Sequence, residues 1–362
     1  MKILMIITGL GMGGAEHVVI NLADELATLG HTVKLAYLNG EIEVKVSPEN
    51  PEVELISIGM NGSKDFGKAY IKLIKLVKDF KPDVVHSHMV HANIISRLLR
   101  LTIRIPKVIS TAHSSNEGGK FRMLAYRLTD KLADISVNVS QSAVEEFIKK
   151  GAVKPGRMIT IANGIDTDKF KFNDSARIKL RSQLAINNEK VILAVGRFDA
   201  AKDYPNLLNA ITRLKVERQD FKVFIVGDGP YKDMLYKLTK ELKIDSCVRF
   251  LGVRNDVKEL MSAADIYVMS SAWEGLPMVI LEAMACERLI VATDCGGISE
   301  AVGSQGLLVE SKNEIVLAQA LDKALGLSEV ERSNIGAAAR ERIIDHYSLD
   351  ANVEAYLKLY NQ

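Results

Sequence analysis

Short apolar runs alternate along this chain with segments whose apolar positions repeat every three to four residues. Residues 2–7 (KILMII) read as a buried parallel strand ahead of a glycine-rich turn. Residues 15–29 then place Val18, Val19, Leu22, Leu26 and Leu29 on one helical face. Gly30 suits the helix stop, and a strand follows over His31–Tyr37. The pattern predicts further helices over Lys68–Phe80, Ala92–Leu101, Tyr126–Leu132 and Ser142–Lys149. Strands are predicted between them at Pro82–Ser87, Lys107–Thr111 and Ile135–Val139. A second series opens at Val191, with predicted strands at 191–196, 221–227, 248–252, 265–271 and 289–294. Its predicted helices are Tyr204–Lys215, Lys232–Leu242 and Ile315–Leu325.

Strand–helix alternation with short connections indicates doubly wound parallel sheets, and such sheets bind ligands beyond the carboxyl ends of their strands. At 362 residues, two domains are expected. The turn-rich stretch Ile161–Asn173 separates the series, giving expected domains 1–165 and 166–346. Composition fits this: with 48% hydrophobic and 25% charged residues, each half can bury a core.

A net charge of +2 does not point to nucleic acid, and no nucleic-acid partner is expected. The charge is uneven, however. Lys68 to Lys131 holds 13 Lys or Arg against Asp79, Asp83, Glu117 and Asp130, a local net of +9. Cys247, Cys286 and Cys295 are odd in number and lack CxxC spacing, which argues for a reducing, cytoplasmic setting. The start MKILMIITGLGMGGA has some features of a signal peptide, but its apolar run is short and fits a first strand better. No apolar run approaches the ~18–20 residues of a membrane span.

The most informative segment is SSAWEGLPMVILEAMA. Glu274 and Glu282 flank a tight turn at Gly275 and Pro277, a residue suited to a first helical position. Amides from Leu276 to Val279 would form a helix N-terminus that attracts phosphate. Two glutamates at this spacing are commonly solvated helix-end charges. Here the apolar run Met278–Ala285 marks a buried helix, where a carboxylate needs a partner. Arg197 and Lys202 follow a strand in the same half. An Arg offers a forked donor and a Lys a point charge for phosphate oxygens, although such loop cations are often merely solvated.

Three other patterns are weaker. Gly9, Gly11 and Gly14 satisfy GxGxxG, but the second strand ends without the acid that a nicotinamide site wants until Glu41. Asp166 and Asp168 form a DxD in a turn-rich linker, where turn and helix-start roles are expected. His86 and His88 share a strand face, with His91 near by. Lacking an accompanying ligand cluster, they read as polar residues lining an acceptor cleft rather than a zinc site.

GGAE at 13–16, HSH at 86–88, TAH at 111–113, NGID at 163–166, GRFDAAKD at 196–203, VGDGP at 226–230 and EGLPMVILEAMA at 274–285 occur in one order. Together they resemble retaining glycosyltransferases of family 4 with the GT-B fold. The resemblance implies two Rossmann-like doubly wound domains facing a deep cleft. It also implies that a C-terminal helix, about 347–362, packs back on the first. Arg197 and Lys202 would then bind a donor diphosphate, Glu282 the ribose, and Glu274 the transferred sugar. Val253 and Arg254 would hold the base largely through backbone. Gly13 and Gly14 would approach the phosphates, and His113 would meet the donor sugar. Gly275, Leu276 and Pro277 complete the implied donor set. The chain departs from the family where Asp203 and Glu287 stand in place of common glycines.

The expected reaction is metal-independent, retaining transfer of a hexose or N-acetylhexosamine from a UDP-sugar, with no cofactor. The basic stretch Lys68, Lys72, Lys75, Lys78, Arg97, Arg100, Arg104, Arg122, Arg127 and Lys131 suggests an anionic membrane surface. The expected acceptor is therefore a polyprenyl-diphosphate-linked glycan of O-antigen, lipopolysaccharide or capsule synthesis. The enzyme would sit peripherally on the inner face of the cell membrane. A sugar-nucleotide epimerase, a soluble acceptor and a binding module are the alternatives.

Overall fold

The structure is a computed structural model that describes residues 1–11, 13–39, 46–115 and 117–362. Glu41 lies outside the described residues. The chain divides into two compact units, residues 1–164 with 349–362, and residues 165–348.

The first unit opens with β1 (Lys2–Ile7), α1 (Gly14–Thr28), β2 (Thr32–Asn39) and β3 (Glu54–Met60). It continues through α2 (Phe66–Phe80), β4 (Val84–His88), α3 (Val90–Leu99) and β5 (Lys107–Ala112). Then come α4 (Lys120–Thr129), β6 (Ile135–Asn138), α5 (Gln141–Lys149) and β7 (Met158–Thr160). The seven strands lie in the order β3-β2-β1-β4-β5-β6-β7, all parallel.

The second unit begins with α6 (Asp174–Gln183), β8 (Lys190–Val195), α7 (Tyr204–Glu217), β9 (Phe221–Val226) and α8 (Lys232–Glu241). Next are β10 (Val248–Gly252), α9 (Val257–Ala263), β11 (Ile266–Met269) and α10 (Met278–Ala285). It closes with β12 (Leu289–Thr293), α11 (Ile298–Val302), β13 (Gly306–Val309), α12 (Glu314–Gly326) and α13 (Glu329–Tyr347). Its six parallel strands run β10-β9-β8-β11-β12-β13. The chain then returns to the first unit as α14 (Leu349–Asn361).

Alternation along each strand sends successive side chains to opposite faces. In the first unit Leu4, Ile6, Val85 and Val108 meet α2 and α3 on one face. Ile3, Met5, Val84 and Ile109 meet α1 and α14 on the other. From α14, Val353, Tyr356, Leu359 and Tyr360 enter that second core.

Several expectations need correction. His86 and His88, expected as polar residues lining a cleft, are instead buried within the first unit, at 0% and 1% exposure. His86 shares hydrogen bonds with the Tyr360 hydroxyl through Nδ1 at 2.7 Å and with Thr111 through Nε2 at 2.8 Å. Its pKa falls to about 3, through burial first and then the charge of His113. Arg97 is not part of a basic surface. It is fully buried and donates to Ser110 Oγ at 3.1 Å, Thr129 Oγ1 at 3.3 Å and Ser136 Oγ at 2.8 Å. Arg100 forms a two-pronged pair with Asp134 at 3.0 and 2.5 Å. The helix expected at Tyr126–Leu132 is α4, starting at Lys120 and ending in a short 3-10 turn at Asp130–Leu132.

Glu287 keeps the helix stop that a glycine would give. It adopts φ 61° itself, directly after the α10 cap residue Cys286. A non-glycine residue in this left-handed region costs roughly 1–2 kcal/mol, partly offset by the greater chain freedom of glycine when unfolded. Glu287→Gly is therefore expected to raise the unfolding free energy by about 1 kcal/mol. Urea unfolding of both proteins reads this, and a less stable variant would mean that the glutamate side chain holds the turn.

Candidate functional site

In the second unit the strand order reverses between β8 and β11, and the loops leaving their carboxyl ends meet there. Three loops are joined through bare backbone. Gly196 N–H donates to Val226 O at 3.0 Å, Phe198 N–H to Asp228 O at 2.9 Å and Gly227 N–H to Gly252 O at 2.9 Å. A Cβ on Gly227, at φ 144°, would lie 2.0 Å from Gly196 O, and one on Gly229 would lie 2.5 Å from Phe198 O. Only glycine fits at either place.

The loop carrying Lys202 is tied to the end of β11. Ala272 N–H donates to Ala201 O at 2.7 Å, and Ser270 Oγ donates to Lys202 O at 2.9 Å and Asp203 O at 3.1 Å. Lys202 Nζ thereby reaches Glu274 Oε1 at 2.7 Å, with the two side chains 17% and 14% exposed. Ser271 Oγ donates to the same carboxylate oxygen at 2.7 Å. Ser271 was not read from the sequence. Its carbonyl is itself gripped by Thr293 Oγ1 at 2.6 Å and Cys295 Sγ at 3.3 Å.

The turn after Glu274 rests on the Cys295–Gly297 loop. Gly297 N–H donates to Gly275 O at 2.6 Å, and a Cβ on Gly296 would stand 2.2 Å from Glu274 O. Gly275 and Leu276 are buried. Pro277 is the cap rather than the first helical residue, because its ψ of 121° is extended; α10 starts at Met278 with no side chain capping it.

Glu282 lies on α10, half-buried, and no hydrogen bond to its carboxylate is found among the described residues. Burial pushes its pKa up to about 7, with Lys169 and Lys202 pulling the other way. Arg197 is 73% exposed, with only a 3.9 Å approach to Asp199. Val253 is exposed, and the Arg254 guanidinium is held by Asp256 at 2.7 and 2.5 Å. Asp166 accepts from the Asp168 and Lys169 N–H groups at 2.9 and 2.8 Å, the turn role its position implied.

In the first unit the order reverses between β1 and β4. The glycine loop follows β1, with Gly13 extended at φ −112° and Gly14 opening α1. Glu16 folds over this loop, so that a Cβ on Gly13 would lie 2.3 Å from Glu16 Oε2. Burial raises the Glu16 pKa. His113 follows β5 and places Nε2 3.2 Å from His88 Nδ1. Its backbone N–H donates to Glu117 Oε1 at 3.0 Å, and the other Glu117 oxygen accepts from the Tyr126 hydroxyl. Burial lowers the His113 pKa to about 4, so its ring is neutral at pH 7. His113 Nδ1 is buried without a partner among the described residues. The structure thus gathers Lys202, Glu274, Gly275, Leu276, Pro277 and Glu282 within one unit, and His113, Gly13 and Gly14 within the other.

Two doubly wound parallel sheets, each with polar loops at its switch point, define a two-unit Rossmann-like architecture, the GT-B fold. The chain belongs to the glycosyltransferases: residues 12–169 match the model for Glycosyltransferase Family 4, and residues 176–342 that for Glycosyl transferases group 1. It is 25% identical to N-acetyl-alpha-D-glucosaminyl L-malate synthase of Bacillus anthracis, covering 96% of this chain and 94% of that protein. It is 26% identical to N-acetylgalactosamine-N,N'-diacetylbacillosaminyl-diphospho-undecaprenol 4-alpha-N-acetylgalactosaminyltransferase of Campylobacter jejuni, over 98% and 99% of the two chains. Among solved structures, Anabaena Alr3699/HepE in complex with UDP-glucose superposes with a TM-score of 0.87 at 22% identity, covering both chains fully.

The folded protein retains at Glu282 a proton that the unfolded chain releases near pH 4.5, so this group lowers stability as pH rises from about 4.5 through about 7. Glu282→Gln does not titrate. Its melting temperature is expected to gain on that of the parent between pH 5 and pH 8. Parallel melting profiles would remove the buried-carboxyl assignment.

Proposed function

We propose that the chain is a retaining, metal-independent transferase. It moves a hexose or N-acetylhexosamine from a UDP-sugar to a glycan acceptor carried on a polyprenyl diphosphate, in O-antigen, lipopolysaccharide or capsule synthesis. The observation that carries the reading is the Lys202–Glu274–Ser271 contact over the β8/β11 switch point, with Glu282 on the adjoining helix. A cation, a helix start and two carboxylates in one unit match the chemistry of a sugar nucleotide. Lys202 and Arg197 take the diphosphate, Glu274 the sugar hydroxyls, and Glu282 the ribose hydroxyls. Val253 and Arg254 offer backbone to the base. In the first unit, Gly13 and Gly14 permit close approach to phosphate, and neutral His113 hydrogen-bonds the sugar through Nδ1.

In the reaction, the bond from the anomeric carbon to the diphosphate oxygen breaks, and a bond to the acceptor oxygen forms on the same face. The acceptor proton passes to the departing diphosphate. Negative charge grows on that diphosphate, where Lys202, Arg197 and the α10 amides oppose it. These residues supply what a metal would otherwise provide, and no cofactor is required.

The C. jejuni relative, by its name, acts on a diphospho-undecaprenol glycan, which supports a lipid-linked acceptor. The B. anthracis relative, by its name, joins its sugar to L-malate, which supports a soluble acceptor instead. The outward lysines of α2, Lys68, Lys75 and Lys78, favour the first and a place on the cytoplasmic face of the membrane.

Incubation with labelled UDP-sugars and lipid-linked or soluble acceptors separates the readings. A glycosylated lipid is expected; an isomerised donor with no transfer would mean an epimerase. Lys202→Ala is expected to lower turnover by on the order of 10²–10³ with unfolding unchanged. Near-normal activity in that variant would sink the donor assignment. Product NMR should show the donor's anomeric configuration, and EDTA should leave the rate unaltered.

A further inference from the structure

Helix α4 is apolar on two faces. Met123 and Tyr126 enter the core of the first unit beside Val144 and Phe147. Phe121, Leu124 and Leu128 turn outward, at 90%, 50% and 74% exposure. At 3.6 residues per turn these three fall within about 60° of one another, so they form a single outward stripe. Lys120, Arg122, Arg127 and Lys131 flank it, all exposed, and no acid occurs between Lys120 and Thr129. Single exposed leucines are ordinary on protein surfaces. A contiguous stripe with a nearly bare phenylalanine, edged by charges of one sign, marks a contact surface.

We propose that α4 docks on an anionic bilayer. Phe121, Leu124 and Leu128 enter the boundary of the acyl region, while the flanking cations meet lipid phosphates. This rests on the membrane reading given above and narrows it to one helix. Charge complementarity selects the occupant, because a phosphate-rich layer meets cations on both sides of an apolar stripe. Helices α2, α3 and α4 line one face of the sheet, so the outward lysines of α2 add charge on the same side. No helix among the described residues is long and apolar enough to cross a membrane, and α4 binds by lying on it. Glu117 gives the docking a route to the chemistry. It accepts from the Tyr126 hydroxyl on α4 and, at 3.0 Å, from the His113 N–H. A lipid-borne acceptor would therefore arrive beside the loop that carries His113.

Sedimentation of the full chain with vesicles of phosphatidylglycerol and phosphatidylethanolamine tests this. The parent should bind. The triple variant Phe121→Ser, Leu124→Ser, Leu128→Ser should bind at least tenfold more weakly, with an unchanged melting temperature because these side chains face outward. The variant Lys68→Gln, Lys75→Gln, Lys78→Gln should lose binding mainly at low salt. A parent that fails to bind even at low salt would overturn the membrane reading, and this assignment with it. A serine variant that binds as tightly as the parent would overturn α4 alone. A parent dimer that the serine substitutions turn into a monomer, with vesicle binding intact, would make the stripe a face between copies.

Discussion

The second unit depends on backbone meeting backbone without a side chain between. Gly227 against Gly196 and Gly296 against Glu274 set separations that a single Cβ would close to 2.0 and 2.2 Å. The Lys202–Glu274–Ser271 contact hangs from them. The loop after β8 is seated on the loop after β9, and only then does Ser270 catch the carbonyls of Lys202 and Asp203. The turn at Glu274 is likewise seated on Gly296 before Ser271 reaches its carboxylate. A lysine and a glutamate on long flexible stems would ordinarily spread over many rotamers. Here both stems leave loops tied down by backbone contacts, so the 2.7 Å pair is a consequence of glycine placement as much as of charge.

The first unit solves a different problem, the burial of imidazoles. His86, His88 and His113 form a row, with ring centroids 4.0 Å apart for the first pair and 5.4 Å for the second. Burial lowers the pKa of all three, so the row is uncharged at neutral pH and needs hydrogen bonds rather than counter-ions. Tyr360 supplies one from the far end of the chain, which makes α14 part of the core chemistry of this unit and not just a cover. The supply runs short toward the strand ends. His88 Nε2 and His113 Nδ1 have no partner among the described residues. These two ring nitrogens lie at the carboxyl ends of β4 and β5, where doubly wound sheets hold their ligands.

Much of this was legible in the sequence, for reasons that also explain the omissions. Strands buried on both faces, such as ILMII and VILAV, advertise themselves as unbroken apolar runs. The edge strand β3 and the three-residue β7 lack that signal, as does polar α6 with Leu180 as its one buried residue. Helix α4 was misplaced because its outward apolar residues blur the period that marks a helix face. Arg97 and the histidine pair were misread together. Charge and polarity in a linear sequence suggest surface, and only the fold shows Ser110, Ser136 and Tyr360 converging to satisfy them. Lys202, Glu274 and Glu282 were legible as candidates because their motifs follow strand ends. Ser271 and Glu117 were not, because a serine and a glutamate that orient another residue carry no spacing of their own.

The two departures from the family's glycine pattern carry a further lesson. Asp203 and Glu287 both sit at positive φ, at 43° and 61°. At both places a residue with a side chain takes a backbone conformation that suits glycine. Such strain persists only where neighbours over-determine the conformation. For Asp203 they do, since Ser270 Oγ grips the carbonyls of Lys202 and Asp203 together. For Glu287 the turn is pressed by α13, where Gly336 approaches so closely that a Cβ would lie 2.2 Å from the Glu287 carbonyl oxygen. At each of the two positions a single constraint holds the turn, a hydroxyl clamp beside Lys202 and a close helix contact behind Glu282. The geometry of the site is thus held by its surroundings, and the identity of the turn residue is secondary to them.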